Sequence, residues 1–269
     1  MTELTTDHVE INGLDIAFRR KGEGPPIVLL HGFVGDGREW GPVMDELSDR
    51  FAVVAWDAPG SGRSSDPPAS FRMPDFADCL AGFIGAIGLG RPHVIGLSFG
   101  GTLALKLYRR HPELPRTLIL AGAYAGWAGS LGAEGRDQRL ARTLEFAALP
   151  PRQFVEAMLP SMMSASAAED RQAELAAIMA ELHPSGFLTM AHAVAEADLR
   201  DVLPRIEVPT LVLHGERDAR ASLAVAEDLH AAIPGSKMVV MPGLGHMSSF
   251  EAPEQFSAQV RSFLQEQPG

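Results

Sequence analysis

One pentapeptide in this chain carries a recognisable chemistry: Gly96-Leu97-Ser98-Phe99-Gly100, a G-x-S-x-G pattern. It follows an apolar run, residues 93–97, and opens a helical stretch from about 99 to 110. In that context a sharp strand-to-helix turn holds the serine in a strained conformation and presents its hydroxyl above the sheet edge. Glycines on either side leave room for strand and helix to approach closely. The helix N-terminus beneath the serine favours developing negative charge. Elsewhere the same pattern would read as a Gly-rich turn; its place between strand and helix makes Ser98 the candidate nucleophile.

A serine hydroxyl is a weak nucleophile until a base takes its proton, and that base needs a carboxylate to set its tautomer. For such a turn the chain order is serine, then acid, then histidine. His246 lies in Pro242-Gly243-Leu244-Gly245-His246, a flexible turn after the last predicted strand, and is the candidate base. His214 ends a strand at the same sheet edge and is the lesser candidate. His111, His183, His192 and His230 fall at a helix end, in the helical middle of the chain or on a late helix, and read as surface or packing residues. The acid is assigned to Asp218, in His214-Gly215-Glu216-Arg217-Asp218, just past the C-terminal end of the penultimate strand. Open α/β sheets place their functional loops there. Glu216 is its rival; Asp198, Asp201 and Asp228 lie at the edge of the helical region or on a helix. Acyl transfer also needs backbone N–H donors for the oxyanion. Phe99, after the nucleophile, and Phe33, in the loop after the third strand, are the candidates, with His31 bracing that loop.

The elements that must position these groups follow from periodicity. Two alternating segments, residues 9–11 and 15–18, flank the hairpin signal Asn12-Gly13. Buried strands are predicted at 27–30, 51–56, 93–97, 117–121, 210–213 and 237–241, alternating with helices near 40–47, 73–88, 99–110, 222–232 and 253–264. That alternation implies right-handed crossovers and a mainly parallel sheet covered on both faces. From about 124 to 203 the rhythm breaks into an Ala-rich helical stretch with five of the 11 methionines, Met158, Met162, Met163, Met179 and Met190. The simplest organisation is a core of residues 1–123 and 204–269 interrupted by a helical cap, 124–203. Thioether side chains suit adaptable apolar surfaces as well as ordinary cores. Trp40, Trp127, Met158 and Met162 are accordingly candidates for a substrate pocket or for core packing.

Composition narrows the class. The 269 residues carry 23 Lys and Arg against 34 Asp and Glu, a net charge of −11, so a nucleic-acid partner is not expected. With 46% hydrophobic and 21% charged residues the chain is an ordinary globular one. No apolar run approaches the roughly 20 residues that span a bilayer, and residues 1–10 lack the pattern of a secretory signal. A single cysteine, Cys79, permits no internal disulfide and suits a reducing, cytoplasmic setting. Gly60-Ser61-Gly62-Arg63-Ser64 matches neither phosphate-loop pattern and reads as a structural turn. No metal-ligand spacing appears, and neither metal nor cofactor is expected.

Together, His31-Gly32-Phe33, residues 57–64 (Asp-Ala-Pro-Gly-Ser-Gly-Arg-Ser), Gly96-Leu97-Ser98-Phe99-Gly100-Gly101, Gly215-Glu216-Arg217-Asp218 and Gly245-His246 resemble the α/β-hydrolase superfamily. Within it the chain looks most like small bacterial enol-lactonases, esterases and cofactor-free haloperoxidases. The resemblance runs from about 9 to 264 and is specific for fold and triad, much less so for substrate. It implies an eight-stranded, mainly parallel sheet flanked by helices, with a helical cap after the sixth strand. It also implies a serine hydrolase acting on a small carboxylic ester or lactone. Haloalkane dehalogenases and epoxide hydrolases of this fold use an aspartate nucleophile, which Ser98 disfavours. C–C bond hydrolysis of a vinylogous diketone, perhydrolysis, and a slow-turnover ligand receptor that retains the triad stay open as alternatives.

Overall fold

Asn12 and Gly13 take φ of 51° and 81°, the left-handed pair that a two-residue hairpin turn requires. They fold β1 (Asp7–Ile11) back onto β2 (Leu14–Lys21) in a computed structural model that describes residues 5–267. The outermost positions of the predicted 1–123 and 204–269 segments, and the first four of the N-terminal decapeptide, lie outside those residues. The chain continues through β3 (Pro26–Leu30), α1 (Gly41–Leu47), β4 (Ala52–Trp56), α2 (Met73–Ala86), β5 (His93–Leu97), α3 (Phe99–Arg110) and β6 (Thr117–Ala121). Four helices follow: α4 (Trp127–Ala147), α5 (Pro151–Met158), α6 (Glu169–Ala180) and α7 (Pro184–Glu196). The alternation then resumes with β7 (Thr210–Gly215), α8 (Leu223–Ala232), β8 (Lys237–Met241), α9 (Ser248–Glu251) and α10 (Pro253–Gln265).

All eight strands form one sheet, in the order β1-β2-β4-β3-β5-β6-β7-β8. The β1–β2 and β2–β4 pairs are antiparallel and every other pair is parallel. β2 is longer than its alternating pattern suggests because its second half, Phe18 to Lys21, pairs with β4 after the hairpin ends. Every residue of β5, β6 and β7 is buried, as expected of parallel strands covered on both faces. Edge strand β8 is half exposed. α2 packs on α3, and α1 on α10. The aromatic pairs Phe18–Phe83, Trp56–Phe83 and Phe76–Phe99, with ring centroids 5.3–5.7 Å apart, tie α2 to the sheet and to the start of α3.

The strand order reverses between β3 and β5: from β3 the chain moves outward to β4, and from β5 it moves the other way. A crevice opens at such a switch point, outside the C-terminal ends of the strands. The loops that leave β3, β5, β7 and β8 at that end carry Phe33, Ser98, Asp218 and His246. α4 to α7 come from the same end, after β6, and α7 reaches back to α2 and α3. None of the helices among the described residues is long and apolar enough to cross a membrane.

Candidate active site

Ser98 sits between β5 and α3 at φ 53°, ψ −107°. Asn12 and Ser98 are the only non-glycine residues with positive φ among those described, and such a conformation costs on the order of 1–3 kcal/mol where it persists. The surroundings hold it there: Ser98 N–H donates to the Ala121 carbonyl at 2.8 Å, and Thr102 N–H returns to the Ser98 carbonyl at 3.1 Å. Both flanking glycines are required by close approach. A Cβ on Gly96 would lie 2.3 Å from the Gly100 backbone, and one on Gly100 would lie 2.1 Å from the Leu30 carbonyl oxygen.

His246 Nδ1 lies 2.7 Å from Asp218 Oδ2, and the two side chains are 5% and 0% exposed. The other carboxylate oxygen of Asp218 accepts from the backbone N–H of Arg220 at 2.7 Å and of Ala221 at 2.9 Å. Burial alone would raise this carboxyl, but the His246 imidazole and the two N–H donors outweigh burial and hold it below the usual carboxylate range. Asp218 is therefore an anion that accepts from Nδ1–H, which leaves Nε2 as the basic nitrogen of His246. The loop carrying His246 is tied to the helical segment: Met247 N–H donates to the Met162 carbonyl at 2.8 Å, and Glu251 accepts from both Gly245 N–H and Ser164 N–H.

Most of the rival groups have partners elsewhere. Glu216 accepts from Gly243 N–H at 2.8 Å and braces the turn after β8. His183 pairs with Asp66, His111 with Asp78, and His230 with Ser236. Asp198 is held by Arg200 and Asp201 by Arg205. His214 is buried with Nδ1 unpartnered, and burial lowers its pKa.

The loop after β3 is braced by His31 and Glu39. Ala58 N–H donates to His31 Nε2 at 2.9 Å, so the proton sits on Nδ1, which donates to the Gly32 carbonyl at 2.6 Å. Burial lowers the His31 pKa and keeps the ring neutral. Residues 57–64 form the structural turn expected of them, because Asp57 collects Gly37 N–H, Arg63 N–H and the Arg19 guanidinium. Glu39 Oε1 accepts from Gly32 N–H at 3.0 Å, while its second oxygen has no partner. Burial pushes the Glu39 carboxyl well above its ordinary value. Among the described residues neither Phe33 N–H nor Phe99 N–H has an acceptor within the chain.

Gly32, Phe33, Val34, Glu39, Leu97, Ser98, Met162, Arg220, His246 and Met247 line one cavity whose free interior is about 10 Å³, room for about one water molecule. Ser98 and His246 thus share a wall with Phe33.

The model of the α/β hydrolase fold family matches residues 25–253. The chain belongs to this family. A thermophilic esterase from Thermogutta terrifontis, solved with malate bound, superposes with a TM-score of 0.88 at 29% identity, covering 97% of this chain and 98% of its own. The enol-lactonase from Burkholderia xenovorans gives 0.87 at 26% identity, over 97% and 100%. In sequence, the pimeloyl-acyl-carrier-protein methyl ester esterase of Vibrio vulnificus is 28% identical, over 93% of this chain and 98% of its own.

Of the four pocket candidates read from the sequence of this α/β-hydrolase, only Met162 reaches the cavity wall. Trp40 points the other way, into the core beneath, 6.0 Å from the Phe256 ring on α10. Trp127 stands one layer back, edge-on to Phe33 at 6.1 Å. Met158 lies behind Arg220, its sulfur 3.8 Å from Nη1. Two wall residues escape sequence reasoning altogether. Glu39 has no motif to mark it. Arg220 follows Asp218 by two positions and looks like any charged loop residue until its side chain is placed.

Proposed function

We propose that this α/β-hydrolase cleaves a small carboxylic ester or lactone through an acyl-enzyme, with Ser98 as nucleophile, His246 as general base and Asp218 holding the imidazole. The observation that carries the reading is that strained Ser98 and Asp218-held His246 open onto one small cavity. Ser98 Oγ attacks the carbonyl carbon as His246 Nε2 takes its proton. The tetrahedral oxyanion is held by the Phe33 and Phe99 N–H groups, which no acceptor among the described residues competes for. Collapse expels the alkoxide, which His246 protonates; a water deprotonated by the same nitrogen then hydrolyses the acyl-enzyme. α4 to α7 act as the cap, with Met162 closing the cavity from above and Phe187 of α7 stacked on the Phe33 ring at 5.0 Å. The likeness to an esterase and an enol-lactonase supports the choice of bond.

Short p-nitrophenyl esters and simple lactones test this. Multiple turnovers, abolished by Ser98→Ala, are the expected result. A single slow turnover that leaves a persistent adduct would instead mark a ligand receptor, and full activity in Ser98→Ala would overturn the assignment.

A further inference from the structure

Arg220 is the one strong cation in the cavity wall, beside Ser98 and His246. Its side chain is poorly partnered for a half-buried guanidinium. Nη1 reaches only Ser161 Oγ at 3.4 Å and Met158 Sδ at 3.8 Å, and the group lies 5.9 Å from the centre of the Phe33 ring. Among the described residues no carboxylate forms an ion pair with it, although arginines 19, 38, 72, 110, 200 and 261 each have one. Asp218 is close by in the chain, but its oxygens are taken by His246 and by the Arg220 and Ala221 N–H groups. The one acidic residue lining the cavity is Glu39, whose carboxyl burial pushes well above its ordinary value.

The neighbourhood adds positive charge. Arg139 stands over the Tyr124 and Trp127 rings, donates through Nη1 to Tyr124 Oη at 2.7 Å and through Nη2 to the Arg220 carbonyl at 2.6 Å. Tyr124 Oη donates to the same carbonyl. These bonds fix the Arg220 main chain and leave its guanidinium fork unspent. Burial, with Arg139 second, brings the Arg220 pKa down to about 10 against the opposing pull of Tyr124 and Asp218. In a chain with net charge −11, this concentration of cations at the cavity is opposed to the overall balance.

We infer that Arg220 is a specificity-determining residue that receives a carboxylate carried by the substrate, so that the preferred ester or lactone bears a second, ionised carboxyl group within reach of the cleaved carbonyl. The inference rests on the hydrolase reading above and names its substrate class. A planar guanidinium meets a carboxylate through two parallel N–H···O bonds, and it is more weakly hydrated than an ammonium.

The test compares kcat/KM for monomethyl glutarate and for methyl valerate, which match in length and differ in charge. The wild type should favour the anion by roughly 10- to 100-fold, the range of one charge-assisted contact. In Arg220→Gln the anion-to-neutral ratio should fall to about 1, and in Arg220→Lys it should lie between, because the charge returns without the fork. Either substitution keeps the carbonyl that Tyr124 and Arg139 use. A wild-type ratio near 1, or a ratio that Arg220→Gln leaves unchanged, would overturn the inference while leaving the hydrolase standing. If neither ester is hydrolysed, the hydrolase reading is decided by the p-nitrophenyl ester and lactone assay above. Recognition is then read from saturable calorimetric binding of glutarate: its loss in Arg220→Gln supports the inference, and its persistence overturns it.

Discussion

Replacing Asp218 with Asn isolates the tautomer of His246 with little change of shape. In the native site Asp218 Oδ1 accepts from two backbone N–H groups, at 2.7 and 2.9 Å, and Oδ2 accepts from His246 Nδ1 at 2.7 Å. An asparagine has one acceptor end, and the two N–H donors fix it at the Oδ1 position. The amide NH2 then faces His246 and donates to Nδ1, which forces the imidazole proton onto Nε2. That nitrogen can no longer take the Ser98 proton. Loss of the buried carboxylate also removes the charge that stabilises the imidazolium. The same tautomer error in a Ser-His-Asp triad lowers kcat about 10⁴-fold, or about 5 kcal/mol at 1.36 kcal/mol for each tenfold. The measurement is kcat on a short p-nitrophenyl ester at pH 7 and again at high pH, beside thermal unfolding as a check on the fold. A loss of 10³-fold or more with a near-native Tm is expected. A variant within tenfold of wild type would refute the assignment of Asp218 and the tautomer reasoning with it.

The remaining predictions concern the frame of the site. Gly100→Ala sets a methyl 2.1 Å from the Leu30 carbonyl oxygen, and overpacking against backbone should cost about 3 kcal/mol, or roughly 6–10 °C in Tm by calorimetry; an unchanged Tm would show that the elbow can yield. Glu39→Gln keeps an acceptor for Gly32 N–H and removes a buried carboxyl whose ionisation burial opposes, so its Tm at pH 7 should equal or exceed wild type. Glu39→Ala strands that N–H and should lose about 1–3 kcal/mol; a Gln variant that melts several degrees lower would mean the carboxyl is ionised in the fold. His93 is buried with Nδ1 3.0 Å from Thr117 Oγ1, and burial lowers its pKa to about 4. Its unfolded counterpart titrates near 6.5, so the stability it contributes is complete above that pH and is lost as pH falls toward 4. Urea unfolding at pH 7 and pH 4.5 should show the wild type losing about 2 kcal/mol more than His93→Asn; equal losses would sink this account.

Much of the frame was legible because its signals are local. The Asn12-Gly13 turn, the apolar runs that became β3 to β7, and the helix after Ser98 depend on residues within a few positions of one another, and each lies close to where periodicity puts it. The same holds for Ser98, which its own flanking glycines and neighbouring elements mark out. Asp218 and His246 were reachable as loop residues after late strands. Glu216 lies in the same loop as Asp218, but its carboxylate accepts from Gly243 N–H, and it is Asp218 that meets His246. The helical stretch from 127 to 196 was legible as helix but not as lining, since which face of an Ala-rich helix meets the cavity depends on the crossing of four helices over the sheet.

By itself, then, the sequence determined the element order, the hairpin, the elbow and the excess of acidic over basic residues, all of which follow from nearest-neighbour chemistry and counting. Only the tertiary structure decided which charges survive at the site. The Glu39 carboxyl is pushed up and that of Asp218 held down because one is buried with a single N–H donor while the other collects an imidazole and two. Trp40 was turned into the core and Met162 toward the cavity by packing between segments distant in sequence. Arg220, a loop residue like many others in the chain, came to line the same cavity as Ser98 with no ion pair among the described residues. Burial and partnership are set by the whole fold, and they decide the charge that a substrate meets.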